Sequence, residues 1–532
     1  MSTKVKIHRL ATGVPGLDAV LGGGLPEFSF NLIAGQPGCG KTTLAHQIMF
    51  ALATAQRPAI YFTVLGEPPL KMLRYQQQFD FFDNDAINQS VRFISLSEDA
   101  MAGDLDRVLR RIVDEVTTHN PGLVFVDSFR SVVVASEGAN GAPLNSVQQF
   151  VQQLGMLMTS WQATTFLIGE YFVETDANPV FTVADGLIWL RQSVQRNSMV
   201  RKMEILKMRG QPTLPGLHTF RISSAGFEVF APAEAALAAD RLNGAAAGLG
   251  LGATTGFGHD SAATPHASRL QMGVAGLDEM LGGGLPRGYS LLVAGPSGSG
   301  KSVLAAAFLA EGARSGETGV IAAFEQHPAQ SRNRLLADLI SSGQVALVDS
   351  RASDLSIDEV VYLLLREIRR LGASRVVIDS LSGFELALAP TFRADFRESL
   401  ARTVSALAGA GVSVLMTSEL EDRYTDLRFS PYGTAFMTDA IIVQRYIEID
   451  SRLQRMMAVV KVRASAHSDQ LRAYSIDADG IHIGSMLGDQ EGLLGGRPTL
   501  KHDGQRETAV AGPVPLAVAK HATTADGADH AG

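Results

Sequence analysis

The 532 residues include one cysteine, Cys39. That excludes an intramolecular disulfide and any zinc site built on several thiolates, and it predicts a reducing compartment. Positive charge is also short, with 46 Lys and Arg against 54 Asp and Glu and a formal net charge of -8. A protein whose main task is to coat a nucleic-acid backbone carries the opposite balance, so nucleic acid is not an expected partner. No run approaches the ~20 apolar residues that span a membrane, and the opening MSTKVKIHRL has no apolar leader. The expectation is a cytoplasmic protein without membrane contact. The 12 His show no metal-ligand spacing. What is present is core material, with 46% hydrophobic and 19% charged residues.

The chain repeats itself. Arg9 to Pro26 (RLATGVPGLDAVLGGGLP) recurs as Arg269 to Pro286 (RLQMGVAGLDEMLGGGLP), with 13 of 18 positions identical. Lys41 and Lys301, Asp127 and Asp379, Asp185 and Asp439, and Lys207 and Lys461 follow as pairs in the same order. Two copies of one domain explain that order, at 5–230 and 266–487. Between them, 231–268 holds 13 Ala and 6 Gly among 38 residues, too little apolar surface to offset the entropy of ordering. The segment 231–265 therefore reads as a linker, with room for a short helix near Pro232 to Leu242. The tail, 488–532, is Gly-, Ala-, Thr- and His-rich without a period and reads as disordered.

Within each copy, short apolar runs alternate with amphipathic stretches. FNLIAG, AIYFTV, LVFVD and TTFLIG in the first, and YSLLVAG, TGVIAAF, SRVVID and VSVLMTS in the second, predict buried strands. LDRVLRRIVDEV from Leu105 and DEVVYLLLREIRRL from Asp358 predict helices. Strands alternating with helices predict an α/β fold with a mostly parallel sheet covered on both faces.

Two segments match the phosphate-loop pattern G-x-x-x-x-G-K-[ST]. They are Gly35 to Thr42, with glycines Gly35, Gly38 and Gly40, and Gly295 to Ser302, with Gly295, Gly298 and Gly300. Glycines let the loop wrap close to phosphate oxygens and aim N–H groups at them. Lys41 and Lys301 are placed to reach the β- and γ-phosphates of ATP; Thr42, with Thr43 beside it, and Ser302 follow, and Thr42 and Ser302 are Mg²⁺ ligand candidates. Asp127 and Asp379 each end an apolar strand, where a metal-linked carboxylate belongs, although an Asp there can also cap the next helix. Glu325, 24 residues beyond Lys301, is the candidate base of the second copy. In the first copy Leu65 and Gly66 stand at the matching positions, so Glu67 is the substitute, with a solvated loop acid as the competing reading. Lys207 with Arg209, and Lys461 with Arg463, alternate on a predicted strand, which puts both cations on one face to meet a γ-phosphate, including that of a neighbouring subunit; a solvated basic strand edge is the alternative.

These residues together, with the V-x-G-L-D-x-x-L-G-G-G-L-P leaders, the F-E-x-x-P stretch at Phe324 and Asp439 to Ile442, resemble the KaiC family of tandem RecA-like P-loop ATPases of bacterial clock systems. The resemblance covers about residues 5–230 and 266–500. It implies two RecA-like domains, ATP and Mg²⁺ at subunit interfaces, a double-ring homo-hexamer, and Lys207, Arg209, Lys461 and Arg463 reaching the neighbour's nucleotide. Glu491 to Pro498 is similar to the family stretch that precedes a partner-binding tail, which implies a regulatory protein partner. One departure is plain: the adjacent Ser and Thr that autophosphorylating members carry become Ala435 and Phe436, leaving only Thr434 and Thr438 nearby. A serine/threonine autokinase or protein kinase is thus the second reading. A DNA-dependent motor of the recombinase or helicase kind is the third, with Gln195 to Lys202 (QRNSMVRK) as its one small basic cluster.

Overall fold

The computed structural model describes residues 7–64, 69–101, 104–131, 144–172, 179–232, 268–324, 334–348, 354–420, 436–449, 451–487, 490–491 and 499–500. The first unit is built on a nine-stranded sheet: β1 (Phe30–Gly35), β2 (Ala59–Thr63), β3 (Val91–Ser95), β4 (Leu123–Asp127), β5 (Thr164–Glu170), β6 (Gly186–Gln195), β7 (Ser198–Met208), β8 (Leu217–Ser223) and β9 (Gly226–Phe230). Their spatial order is β9-β8-β7-β6-β1-β5-β4-β2-β3. The run from β3 to β6 is parallel, and β7 to β9 extend it antiparallel.

The second unit repeats this with β10 (Ser290–Gly295), β11 (Gly319–Ala323), β12 (Val345–Val348), β13 (Arg375–Asp379), β14 (Ser413–Glu419), β15 (Ala440–Ile449), β16 (Arg452–Val462), β17 (Arg472–Ile476) and β18 (Ile481–Met486). The order is β12-β11-β13-β14-β10-β15-β16-β17-β18, position for position the same. These are two tandem RecA-like α/β domains. The apolar runs read as strands are strands, each within a residue or so of its expected ends.

The strands are apolar on both faces because both are covered, and period-two alternation assigns each residue a side. In the first unit Ile33, Tyr61, Phe125 and Phe166 pack on helix α1 (Lys41–Leu52) through Leu44 and Ile48. Leu32, Phe62, Val126 and Leu167 face helix α2 (Leu105–His119), which presents Val108, Ile112 and Val116, and helix α3 (Leu144–Ser160). Asp104 caps α2, accepting from the amides of Asp106 and Arg107. In the second unit helix α4 (Lys301–Arg314) covers one face. Helices α5 (Ile357–Leu371) and α6 (Phe396–Gly409) cover the other.

The duplicated leader has a structural cause. Arg9–Leu10 pairs antiparallel with Leu25–Pro26, and Arg269–Leu270 with Leu285–Pro286. The three glycines before each Leu-Pro all have positive φ, and the Arg9 and Arg269 side chains donate to carbonyls of that turn. In the tail, Gln490–Glu491 pairs antiparallel with Thr499–Leu500. The rest of the tail and the linker from 233 lie outside the described residues. Among the described residues no helix is long and apolar enough to cross a membrane.

Candidate functional site

β1 and β10 are central strands, and each phosphate loop leaves the C-terminal end of one of them, turns, and starts α1 or α4 at the lysine. The residue before that lysine must be glycine. Gly40 has φ 100° and Gly300 φ 102°, and a Cβ at Gly40 would lie 2.5 Å from Ile222, one at Gly300 2.4 Å from Ile476. The helix N-terminus so formed offers free N–H groups and a partial positive charge to an anion. Lys41 Nζ donates to the carbonyl of Gln36 at 2.8 Å. Lys301 Nζ donates to those of Gly295 and Pro296 at 2.9 and 2.8 Å. Both ammonium groups therefore lie over their own loops. Cys39 is fully buried, and burial pushes its thiol up, outweighing the charges of Lys41 and Arg201; it is packing in the loop.

The second element is a carboxylate beside the hydroxyl. Thr42 Oγ1 donates to Asp127 Oδ2 at 2.7 Å, and Tyr61 Oη donates to the same oxygen at 2.7 Å. Burial raises the Asp127 pKa, while the bonds from Tyr61 and Thr42 oppose that rise. The Tyr61 phenol is pushed well above its ordinary value, by burial first and by the Asp127 charge second, so it stays protonated as a donor. In the second unit Asp379 Oδ1 accepts from Thr417 Oγ1 at 2.5 Å. The peptide bond after each acid, Asp127–Ser128 and Asp379–Ser380, is cis. Asp379 is not spent on capping, because Ser380 caps the helix Leu381–Ala387 by accepting from the Gly383 amide.

This donor set fits Mg²⁺ and ATP. A hydroxyl and a carboxylate in contact at the mouth of a phosphate loop are hard oxygen donors, and Mg²⁺ characteristically takes one or two of these with waters and phosphates rather than an all-protein cage. Among the described residues no group of three or more His, Cys, Asp or Glu is arranged to hold a metal by itself.

The third element lies elsewhere in each unit. Lys207 is paired with Leu187, which is paired with Leu32 of β1. Arg209 Nη1 binds Asp185 Oδ1 at 2.9 Å, and Asp185 Oδ2 accepts from the amide of Phe30, the first residue of β1. Arg463, Asp439 and Ser290 repeat this at 3.2 and 3.0 Å. Five residues of strand, about 16 Å at 3.3 Å each, separate Phe30 from Gly35, so each arginine sits at the far end of the strand that carries its own phosphate loop. The expectation that both cations lie on a strand holds for the lysines alone. The register slips at Leu187/Ile188 and Ile441/Ile442, and β7 and β16 end one residue before the arginine, which the aspartate then takes as partner. The pKa values of Lys207 and Lys461 are lowered, by burial first and by Arg209 and Arg463 second. Asp185 and Asp439 act in the opposite direction on the two lysines.

Glu67 and Glu325 lie outside the described residues, as do Thr434 and Ala435. Residues that sequence reasoning passed over do border the loops. Gln192 Nε2 donates to the Pro37 carbonyl at 3.4 Å. The matching Tyr446 lies close to Gly298, with the Arg455 guanidinium 5.6 Å above its ring. Arg201, the counterpart of Arg455, belongs to the small basic cluster Gln195 to Lys202, which forms the turn of the β6–β7 hairpin. The offset of 254 that relates Lys207 to Lys461 also relates Gln192 to Tyr446 and Arg201 to Arg455. That was the available signal.

Comparison with known proteins places the chain in a family. The family model described as "ATPase: KaiC" matches residues 10–234 and 270–487. The circadian clock oscillator protein KaiC of Rippkaea orientalis is 26% identical over 512 residues, 94% of this chain and 93% of that protein. KaiC 1 of a Synechocystis strain is 26% identical over 507 residues, covering 93% and 92%. KaiC of Prochlorococcus marinus is 25% identical over 519 residues, covering 95% and 98%.

Proposed function

The chain belongs to the KaiC ATPase family, and on that premise we propose that it binds and hydrolyses ATP as a ring-shaped homo-oligomer, a hexamer of two stacked tiers. Each nucleotide is held between the phosphate loop of one subunit and the Lys-x-Arg pair of the next. The observation that carries this reading is the separation of the two halves of the site. A complete phosphate loop with Lys41, Thr42 and Asp127 stands at one end of β1; Arg209 stands at the other, about 16 Å away along the strand, and Lys207 is in register with Leu32, about 10 Å from Gly35. A cation pair so far from its own loop is suited to a second subunit's γ-phosphate, as arginines supplied in trans are. The same division recurs at Lys301, Ser302 and Asp379 against Lys461 and Arg463.

Thr42 and Asp127, or Ser302 and Asp379, would hold Mg²⁺, which would supply neutralising charge to the phosphates. The chain's own contribution is to cradle the phosphates with loop N–H groups and to bring Lys41 or Lys301 onto them. Glu325, and Glu67 in the first unit, are the proposed residues that orient or deprotonate the attacking water. A cytoplasmic protein whose conformation reports nucleotide state to a regulatory partner, with the C-terminal tail as docking element, completes the reading.

Autophosphorylation is the weaker reading. Of the positions where a hydroxyl pair is expected, Phe436 is exposed, with the Arg397 guanidinium 5.1 Å over its ring. Intact mass after incubation with Mg-ATP separates the two readings, since a kinase acting on itself gains 80 Da per phosphate.

Turnover and size test the main proposal together. Lys41→Ala combined with Lys301→Ala abolishes hydrolysis, and light scattering gives about 340 kDa, six copies of 56.6 kDa, when Mg-ATP is added. Unchanged turnover in the double variant, or a monomer under all conditions, defeats it.

A further inference from the structure

The two units secure their metal-site acids from opposite sides. In the first, the donor is Tyr61 on β2, one flank of β4. In the second, it is Thr417 on β14, the other flank of β13. The ladders put Ile321 at the place of Tyr61, since Tyr61 pairs with Phe125 and Ile321 with Val377, each two residues before the acid. They put Ile168, paired with Asp127, at the place of Thr417. Each unit therefore gives its acid one hydrogen bond from one flanking strand and an isoleucine from the other, and the two units have exchanged sides.

A duplicated site that moves a donor from one flank to the other, while keeping its target, points to the hydrogen bond as the retained feature. We propose that Tyr61 in the first unit and Thr417 in the second are positioning residues for Asp127 and Asp379, and that they set the Mg²⁺-dependent part of nucleotide binding in their own unit only. Tyr61 is fully buried, with its ring 4.5 Å from that of His46 and stacked on Phe125 at 5.8 Å. The hydroxyl cannot turn to water, and the aromatic packing holds it at the carboxylate. With Oδ2 accepting from both Tyr61 and Thr42, the carboxylate is held in one orientation beside the Thr42 hydroxyl. A hydrogen bond to a charged acceptor in such a setting is short and among the stronger kinds.

This inference rests on the Mg-nucleotide reading of the two sites, and the experiment separates the two. Binding of a fluorescent ADP to the full chain is followed in EDTA and across a Mg²⁺ titration. Lys301→Ala restricts the signal to the first unit and Lys41→Ala restricts it to the second. In the Lys301→Ala chain, Tyr61→Phe raises the Mg²⁺ midpoint about tenfold and leaves binding in EDTA unchanged. Adding Ile168→Thr, which installs the second unit's arrangement, brings the midpoint back. In the Lys41→Ala chain, Tyr61→Phe does nothing, Thr417→Val raises the midpoint, and Thr417→Ser keeps it. The Thr417 pair carries the test if Tyr61→Phe does not fold. If the parent depends on Mg²⁺ and neither Tyr61→Phe nor Thr417→Val moves its midpoint, the proposal is overturned and the binding reading stands. If the parent's ADP binding ignores Mg²⁺, both fall.

Discussion

Arg221, on β8 of the first unit, donates its Nε–H to the carboxylate of Glu359, the third residue of α5 in the second unit. Glu359 also accepts from the Ser356 amide while Ser356 accepts from the Glu359 amide. The capping box of the second unit, complete in itself, is therefore braced by a cation from the first. Around it, Thr219 and Ser356 hydroxyls meet at 2.7 Å, Arg221 Nη2 donates to the Asp354 carbonyl at 3.0 Å, and Lys202 lies 5.0 Å over the Phe392 ring. Strand alternation gives β8 two roles: Thr219 and Arg221 face the second unit, while Phe220 and Ile222 pack beside the first unit's α1.

Removing Arg221 leaves a mostly buried carboxylate without its cation. Burial already holds the Glu359 pKa up, with Arg221 opposing. Arg221→Ala should destabilise the chain by about 2 kcal/mol, below the usual cost of breaking a buried pair because Arg221 is 38% exposed. Adding Glu359→Gln should recover much of that loss. Denaturant unfolding of both variants measures it; equal stability of parent and Arg221→Ala defeats the assignment of the ion pair as an anchor between the units.

Complementation addresses the cations in trans. Two inactive chains, both silenced in the second unit by Lys301→Ala, are co-expressed: one carries Lys41→Ala, the other Arg209→Ala. Alone, each should turn over ATP roughly 10³-fold more slowly. Mixed, an interface that joins an intact loop to an intact Arg209 arises in about a quarter of random pairings, and turnover should rise accordingly. No gain over the separate chains means that Arg209 does not serve a neighbour.

The backbone architecture was largely legible because its signals are local. LVFVD and SRVVID are apolar and bounded, and the leaders and phosphate loops are repeated outright. What was missed depends on contacts across sequence distance. Tyr61 reads as one more aromatic in a buried strand, and its hydroxyl acquires meaning only when β4 delivers Asp127, 66 residues later, alongside it. Thr417 is hidden the same way within VSVLMTS. Thr219 and Ser356 are 137 residues apart, and nothing around either forecasts the other. Arg201 and Lys202 read only as part of a small basic cluster, because the hairpin that turns them toward a phosphate loop and toward Phe392 is a tertiary fact.

Gly40 gives a steric prediction with an internal control. In Gly40→Ala the new Cβ meets Ile222 at 2.5 Å and the residue must hold φ 100°, whereas Gly38→Ala at φ 74° meets nothing within 4 Å. Strain alone costs on the order of 1–2 kcal/mol. First-unit nucleotide affinity should therefore fall further in Gly40→Ala than in Gly38→Ala, and Ile222→Ala should return part of the difference. Equal affinities in the two alanine variants would refute the close approach.

His46, in α1, has both ring nitrogens buried without a hydrogen-bond partner among the described residues, packed against Tyr61, Phe93 and Phe50. Burial pulls its pKa down to about 4, the Gln76 side chain opposing in part. The unfolded chain binds this proton near the ordinary value of 6.5. Below that pH the unfolded state gains a proton that the folded state refuses. The neutral ring's contribution is therefore present above pH 6.5 and is lost as pH falls toward 4. Its full size is about 3 kcal/mol, from the 1.36 kcal/mol carried by each pKa unit. His46→Leu, similar in volume and neutral throughout, should flatten the acid side of the stability profile relative to the parent. Denaturant midpoints taken at intervals from pH 7.5 to 4.5 give the slopes. Parallel profiles would mean that the ring takes up its proton inside the fold, and that the acid loss comes from the carboxylates instead.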